Sequence, residues 1–166
     1  MIPVVGIGGE HQAGKTTFAL GLIRELRADG FSVAVVKHTS QPLQLDHSGT
    51  DTALYSEAGC AFVAIAGPYG SAILLPQPPE PNLWELAARV PPSTGVIVVE
   101  GYRSVPLPRF EVLVKGEPVS PRDQLLAAVV RELPDETRGY TVLASGDYRG
   151  AADLLYARGV LVRPWR

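Results

Sequence analysis

Eight consecutive residues near the amino terminus have the composition and spacing of a phosphate-binding loop. Gly9, Gly14, Lys15 and Thr16 occupy the fixed positions of the pattern, and an apolar segment at 2–7 precedes them. Glycines allow the backbone to turn so that several N–H groups face an anion, and the helix expected to begin at Lys15 adds the positive end of its dipole. The pattern therefore predicts a site for a nucleoside triphosphate.

The polar side chains of this loop suggest how the phosphates would be held. Lys15 is expected to be exposed and to place its ammonium group on the β- and γ-phosphate oxygens, while the Thr16 hydroxyl ligates Mg²⁺. The alternative is a glycine-rich turn between a strand and a helix that binds nothing. The residues expected to contact the nucleotide are Gly9, Glu10, His11, Gln12, Ala13, Gly14, Lys15, Thr16 and Thr17.

Composition limits the other classes of function. The chain has 166 residues, which suffices for a single domain over 1–166. Its single cysteine, Cys60, excludes a disulfide framework or a multi-cysteine metal site within one chain and is expected to be a small buried hydrophobe. A net charge of −2 gives no basic stripe for nucleic acid. With no apolar run of membrane-spanning length and no signal-peptide pattern, we expect a cytoplasmic protein.

Strand-like and helix-like patterns alternate along the chain, which is typical of an α/β fold with three layers: a mostly parallel sheet with helices on both faces. A hairpin around the turn 67–70 is expected to make that sheet mixed. Gly30, Gly59 and Gly159 are expected to end helices, and Asn82 with Glu85 resembles a capping box. The predicted strands are 2–8, 31–37, 61–66, 71–75, 95–100, 109–115, 141–144 and 160–162, and the predicted helices are 15–29, 51–58, 83–90, 120–132 and a last one ending at 158.

A second acidic position follows a strand that the sequence predicts to be buried. Glu100 ends the β-branched run 95–100, and the carboxyl ends of parallel strands form the crevice in which such sheets bind ligands. A carboxylate there can hold a magnesium-bound water or polarise the attacking one, so Glu100 is the candidate for the Walker B role. The alternative is an acid that simply emerges into solvent. Gly101 would allow the chain to turn sharply past the phosphates.

Polar residues after the second strand are candidates for the same crevice. Lys37 and His38 end that strand, and the polar stretch that follows is long for a loop, which more often indicates function. Asp46 is a candidate second-shell partner of magnesium. Asp51 is either a ligand contact or the N-cap of the next helix. His38 and His47, without cysteine partners, are weak evidence for a transition-metal site.

These segments together resemble the molybdopterin-guanine dinucleotide biosynthesis protein B (MobB) family of phosphate-loop GTPases over nearly the whole chain. The resemblance departs from the family after the lysine–histidine pair, where Ser40, Gln41 and Pro42 stand in place of further histidines. The matching segments are the run Gly9–Thr17, the pair Lys37-His38, the spacing of Asp46, Gly49 and Asp51 before Ala58-Gly59, and Val99-Glu100-Gly101-Tyr102.

The resemblance implies a homodimeric accessory protein that binds GTP and Mg²⁺ in the molybdenum cofactor pathway. Its partners would be the guanylyltransferase that joins GMP to molybdopterin, and molybdopterin itself. Lys15 and Glu100 would be its catalytic residues, and Thr16, Glu100 and Asp46 would form its metal site. The implied slow GTP hydrolysis agrees with the lack of a convincing arginine finger or catalytic glutamine near the loop. Arg103 is expected to be a solvated charge, with approach to a phosphate as the alternative.

Guanine recognition has one candidate residue, since the Asn-Lys-x-Asp motif is absent. Asp147 follows a late strand, and its carboxylate can accept from both N1 and N2 of guanine, whereas adenine would present an acceptor. The alternative is that Asp147 caps the final helix.

Two other classes of function remain open from the sequence. A small-molecule kinase would use the same loop but needs an arginine-bearing lid and an acceptor pocket, and a metallochaperone GTPase needs a cysteine and histidine cluster. The hairpin over 61–75 also predicts assembly, because it would place several large apolar side chains on a protruding element that a second copy could cover. These side chains are Phe62, Val63, Ile65, Ile73 and Leu74.

Overall fold

The computed structural model describes residues 1–40, 49–75, 80–135 and 139–164. Its contacts divide the chain into two compact units: Met1–His38 with Leu86–Arg166, and Thr39–Glu85. In chain order the elements are β1 (Val4–Gly9), α1 (Lys15–Ala28), β2 (Val33–Lys37), α2 (Asp51–Glu57), β3 (Val63–Gly67), β4 (Gly70–Leu74), α3 (Leu83–Ala87), β5 (Val96–Glu100), β6 (Arg109–Leu113), β7 (Leu125–Val130), β8 (Val142–Ala144) and α4 (Tyr148–Ala157).

The larger unit contains a six-stranded sheet in the order β2-β5-β1-β6-β7-β8, and every neighbouring pair in it is parallel. This confirms the predicted α/β fold with a mostly parallel sheet. The expectation that the hairpin would make this sheet mixed is wrong. Strands β3 and β4 pair only with each other in an antiparallel sheet of two strands.

Helices α1 and α4 lie on one face of the six-stranded sheet and form the main core with it. Phe18 of α1 contacts Phe110 of β6 edge-on, with ring centroids 5.4 Å apart. Gly21 brings α1 against the Tyr148 ring of α4, since a Cβ there would lie 2.3 Å from that ring. The fully buried centre of this core includes Val5, Ile7, Phe18, Leu22, Leu26, Val96, Val98, Phe110, Ala127 and Leu155.

A cluster of charged and polar side chains joins the carboxyl end of α1 to α4. Arg149 Nη2 donates to Asp29 at 2.8 Å and to Asp153 at 3.0 Å, and the Tyr156 hydroxyl donates to Asp29 at 2.5 Å. The Arg149 hydrogen bond lowers the pKa of Asp29, against the opposing effect of burial. Burial, together with the bond to Asp29, raises the pKa of Tyr156 to about 12. The hydrogen bonds and ion pairs of this cluster therefore hold α1 against α4.

Local signals for helix ends are confirmed. Asn82 Oδ1 accepts from the backbone N–H groups of Trp84 and Glu85, and a Glu85 carboxylate oxygen accepts from the Asn82 N–H at 2.9 Å. This is the reciprocal capping box. Gly30, Gly59 and Gly159 have positive φ angles of 96°, 88° and 66° directly after helices, where the left-handed conformation favours glycine.

Two sequence predictions of secondary structure are wrong. The helix expected over 120–132 is replaced by a turn, in which Gln124 and Leu125 both donate to the Pro121 carbonyl, followed by strand β7. A short apolar run does not distinguish a buried strand from a buried helix, and here pairing with β6 and β8 decides for the strand. The tail strand expected at 160–162 is irregular chain.

In the smaller unit, described by itself, α2 is followed by the β3–β4 hairpin. Thr50 is the N-cap of α2, and its side chain accepts from the Ala53 N–H at 3.3 Å. Cys60 is exposed, so the expectation that it is buried is wrong. The hairpin is short and leaves nearly all of its residues exposed. Among the residues described in either unit, no helix is long and apolar enough to cross a membrane.

Candidate phosphate-binding site

The loop between β1 and α1 has the backbone conformation that its glycines predict. Gly9 has φ 129°, and a Cβ there would lie 2.1 Å from the carbonyl oxygen of Val112 on the neighbouring strand. Gly14 has φ 95° and is the N-cap of α1. Because glycine has no side chain to cap the first turn, the N–H groups at this helix end can bind an anion. Gln12, between these glycines, also has a positive φ, 61°.

Lys15 is half-buried rather than exposed, because its ammonium group is held within the loop. Its Nζ donates to the backbone carbonyl of Glu10. The contact therefore joins the end of the loop to its beginning and keeps the positive charge of Lys15 within the predicted phosphate-binding loop. The exposed residues of the loop are Glu10, His11, Gln12, Gly14, Thr16 and Thr17, and Ala13 is half-buried.

The sheet brings Glu100 to this loop. Strand β5 lies between β1 and β2, with Glu100 in register with Ile7 on one side and Lys37 on the other. The Thr16 hydroxyl donates to Glu100 Oε2 at 3.2 Å, and Lys37 Nζ lies 3.5 Å from Glu100 Oε1. The Glu100 side chain is 12% exposed and Lys37 is 56% exposed. Two side chains from separate segments, Thr16 and Lys37, therefore meet at the Glu100 carboxylate.

This hydroxyl and carboxylate are oxygen donors of the kind that Mg²⁺ prefers, and Mg²⁺ characteristically retains several waters. The pair therefore fits a magnesium ion bound mainly through phosphate oxygens. In the described parts of the chain, no cluster of three or more histidine, cysteine, aspartate or glutamate side chains could hold a metal.

The chain turns sharply directly after Glu100. The His38 N–H donates to the Glu100 carbonyl at 2.9 Å. Gly101 has φ 95°, and a Cβ there would lie 3.0 Å from that of His38. The ring of Tyr102, a residue with the unusual φ of 46°, lies 4.9 Å from the imidazole of His38. The close approach explains why glycine stands at 101.

Arg103 is a contact of the loop that the sequence did not reveal. Arg103 is exposed, as expected of a solvated charge, and its Nη2 also donates to the backbone carbonyl of Gly9. No spacing rule connects these residues, which lie 94 positions apart in the chain. The only available signal was the position of Arg103, three residues beyond Glu100.

The remaining predicted residues are placed as follows. Asp147 is the N-cap of α4, with Oδ1 accepting from the Gly150 N–H at 2.9 Å, and it is exposed after β8. Asp51 is exposed and is the first residue of α2, whose N-cap is Thr50, so of its two alternatives the N-cap is wrong and the ligand contact stays a prediction. Asp46 and His47 lie outside the described residues.

A parallel sheet with a glycine-rich loop between its first strand and first helix, and an acid at the end of the neighbouring strand, defines the phosphate-loop NTPase fold. The chain belongs to the family described as molybdopterin guanine dinucleotide synthesis protein B, MobB, whose family model matches residues 4–132.

Individual relatives agree with this assignment. The chain is 34% identical over 139 residues to the molybdopterin-guanine dinucleotide biosynthesis adapter protein of Haemophilus influenzae, covering 81% of this chain and 78% of the relative. It is 28% identical over 162 residues to the Escherichia coli K12 protein of the same name, covering 93% and 92%.

Solved structures share the fold. A crystal structure of molybdopterin-guanine biosynthesis protein B has a TM-score of 0.72 at 24% identity, covering 93% of this chain and 99% of that one. The crystal structure of Bacillus subtilis MobB has a TM-score of 0.72 at 21% identity, covering 98% of this chain and 100% of that one.

Proposed function

We propose that this chain is a GTP-binding adapter protein of molybdopterin guanine dinucleotide biosynthesis, which assists the enzyme that attaches GMP to molybdopterin. The observation that carries the nucleotide part is the hydrogen bond from the loop hydroxyl of Thr16 to Glu100, at 3.2 Å, beside the free helix end of α1. The adapter part rests on membership of the family and on the similarity to relatives named as biosynthesis adapter proteins.

The residues of the site divide the binding of a triphosphate between them. On binding, Lys15 exchanges the Glu10 carbonyl for phosphate oxygens. Both partners are charged in an ammonium–phosphate contact, whereas the backbone carbonyl is neutral, so the phosphate contact is the stronger one. The N–H groups at the start of α1 donate to the same phosphates. Thr16 and Glu100 would hold Mg²⁺, which neutralises charge on the phosphates.

The same contacts account for slow hydrolysis. Each Glu100 oxygen already has one partner, Thr16 on one and Lys37 on the other, so an attacking water would share the carboxylate with both. Arg103 is bonded to the Gly9 carbonyl and is therefore not poised over the phosphates. A binding protein with weak GTPase activity fits this arrangement better than a fast hydrolase.

Guanine selection is assigned to Asp147 in this proposal. Oδ1 caps α4, but a carboxylate has about four lone-pair sites, so capping leaves capacity to accept from N1 and N2 of guanine. Its place after β8, at the carboxyl edge of the same parallel sheet that carries the loop, supports this role.

The test of nucleotide binding is calorimetric titration with Mg²⁺ and GTP of the wild type, Lys15→Ala and the matched control Lys115→Ala, in which an exposed lysine after β6 is removed. We expect Lys15→Ala to weaken binding by about 100-fold or more, since charged hydrogen bonds contribute ~1.5–3 kcal/mol each. The control should bind like the wild type, and all three should unfold at the same temperature. Equal GTP affinity in wild type and folded Lys15→Ala would contradict the proposal.

The adapter role has its own test. A purified guanylyltransferase is supplied with molybdopterin and Mg²⁺-GTP, and dinucleotide formation is measured with no addition, with the wild-type adapter or with Lys15→Ala. We expect the wild type to raise the yield or rate and Lys15→Ala to lose most of that effect. No stimulation by the wild type would overturn the adapter proposal while leaving the binding result intact.

A further inference from the structure

The segment between β5 and β6, residues 101–108, joins two parallel strands that both flank β1, and it does so without a helix. We call it the crossing segment. It begins with two positive φ angles, at Gly101 and Tyr102, and then forms a turn in which the Val105 N–H donates to the Tyr102 carbonyl at 3.0 Å. Its end is fixed to β1, where the Gly6 N–H donates to the Pro108 carbonyl at 2.9 Å.

A buried arginine of β6 forms a hydrogen bond to the crossing segment. Arg109 of β6 is only 3% exposed, and its Nη2 donates to the Val105 carbonyl. Glu111, two residues on and 4% exposed, points to the same face of the sheet and accepts from the Ser120 N–H at 3.2 Å. Burial lowers the pKa of Arg109, while the charge of Glu111 raises it and the charge of Arg103 lowers it.

Strand β1 is shaped to admit these side chains. A Cβ at Gly6 would lie 3.1 Å from that of Arg109, and a Cβ at Gly8 would lie 3.3 Å from Cγ of Glu111. Gly6 and Gly8 of β1 therefore leave room for the charged side chains of β6. This role differs from that of Gly9 and Gly14, which shape the phosphate loop.

Arg103 extends from the crossing segment to the carbonyl of Gly9, the residue at which β1 passes into the phosphate loop. The conformation of Gly9 is restricted already by its φ of 129° and by the Val112 carbonyl against it. A cationic hydrogen bond to its carbonyl therefore fixes the direction in which the loop leaves the strand. The contact joins the loop to the segment that begins at Glu100.

We propose that Arg103 is a positioning residue for the phosphate loop: through the Gly9 carbonyl it holds the loop in the conformation that accepts phosphate. The inference deepens the proposed function, since it concerns the same site. It also makes a prediction for the ligand-free protein that does not depend on that function.

The experiment compares Arg103→Ala with the wild type and with Arg24→Ala, which removes an exposed arginine of α1. Hydrogen exchange of the backbone amides over residues 9–17 is measured first without nucleotide. We expect about tenfold faster exchange in Arg103→Ala alone, because a charged hydrogen bond is lost, with unchanged exchange in β7 and an unchanged unfolding temperature. Arg103→Lys, which keeps the charge and a donor, should restore much of the protection.

The second measurement uses Mg²⁺-GTP. We expect Arg103→Ala to raise KM about tenfold and leave kcat within twofold of the wild type, because Arg103 acts on the loop and not on the reacting atoms. Equal exchange over 9–17 in wild type and Arg103→Ala would overturn the inference even if GTP binds. Faster exchange together with no GTP binding by the wild type would support the inference and reject the proposed function. A fall in kcat at unchanged KM would overturn positioning in favour of direct catalysis.

Discussion

At the scale of single residues, the site is organised around one carboxylate. Glu100 receives the loop hydroxyl of Thr16 on one oxygen and the ammonium of Lys37 on the other. Lys37 is more than half exposed, so this ion pair contributes little to stability, and its effect is to restrain the orientation of the carboxylate. Removing the charge of Glu100 should therefore affect chemistry more than folding.

Glu100→Gln tests that statement. The amide keeps the size of the side chain and can accept from Thr16, but it cannot take a proton or carry the charge that favours bound magnesium. We expect hydrolysis of GTP to fall about 100-fold in single-turnover measurements while GTP affinity falls less than about tenfold. Asp123→Asn, at an exposed acid before β7, is the control. Wild-type hydrolysis by Glu100→Gln with Mg²⁺ present would remove Glu100 from the mechanism.

A second test at this scale separates the two roles of Asp147. Asparagine is as good an N-cap as aspartate, so Asp147→Asn preserves the cap of α4, whereas Asp147→Ala should lower the free energy of unfolding by about 1 kcal/mol. If the carboxylate recognises guanine, Asp147→Asn should lose GTP preference and gain relative affinity for xanthosine triphosphate in competition binding. An unchanged ranking of GTP, ATP and xanthosine triphosphate would leave Asp147 as a cap alone.

At the scale of elements, the contact between α1 and α4 positions the loop, because α1 begins at Lys15. That contact depends on a glycine in the middle of α1, where Gly21 faces the ring of Tyr148. Helix propensity alone would favour alanine at this position by about 1 kcal/mol. Packing opposes it, since a Cβ at 2.3 Å from a ring carbon forces one helix to move.

Gly21→Ala should therefore destabilise the protein despite the gain in propensity. Overpacking costs ~1–3 kcal/mol, and after the gain of about 1 kcal/mol in propensity we expect a net loss of up to about 2 kcal/mol in denaturant unfolding, with weaker GTP binding as the start of α1 shifts. Gly146→Ala is the matched control, because a Cβ there has no neighbour within 4 Å, and its change should stay within ~0.5 kcal/mol. A stabilised Gly21→Ala variant would show that the helices adjust freely.

At the level of the whole molecule, the hairpin is one part of the described chain whose apolar side chains a single copy leaves exposed. Phe62, directly before β3, is 58% exposed, and Ile73 of β4, which pairs with Ala64, is 60% exposed. Ile65 is 52% exposed on the opposite face of the hairpin, and Val63, which was expected on the same surface, is buried. Exposed apolar groups on a two-stranded element are typical of association surfaces. A twofold dimer would place the same patch of each copy against the other.

Sedimentation velocity at micromolar concentration measures this directly. We expect the wild type to be a dimer and Ile73→Lys to shift it towards monomer, because a charge buried in an apolar interface is strongly unfavourable. Leu133→Lys, which changes a leucine that is 60% exposed outside the hairpin, should sediment like the wild type. A monomeric wild type would contradict the dimer, and a dimeric Ile73→Lys would move the interface away from the hairpin.

Features that depend on neighbouring residues could be predicted from the amino-acid sequence. The phosphate loop, the capping box at Asn82 and the glycine ends of α1, α2 and α4 were all predicted, because each depends on backbone geometry within a few residues. The buried strand ending in Glu100 was predicted for a related reason, since a continuous apolar run indicates cover on both faces.

Contacts between distant residues could not be predicted in this way, because they depend on how the strands are ordered in the fold. The apolar run of β7 is compatible with a helix or with a strand, and it forms a strand because it pairs with β6 and β8. Strands β3 and β4 form their hydrogen bonds with each other and are not part of the parallel sheet. Arg103 reaches Gly9 only because β5 and β1 are neighbours. Contacts between residues far apart in sequence are set by strand order, which local propensity does not encode.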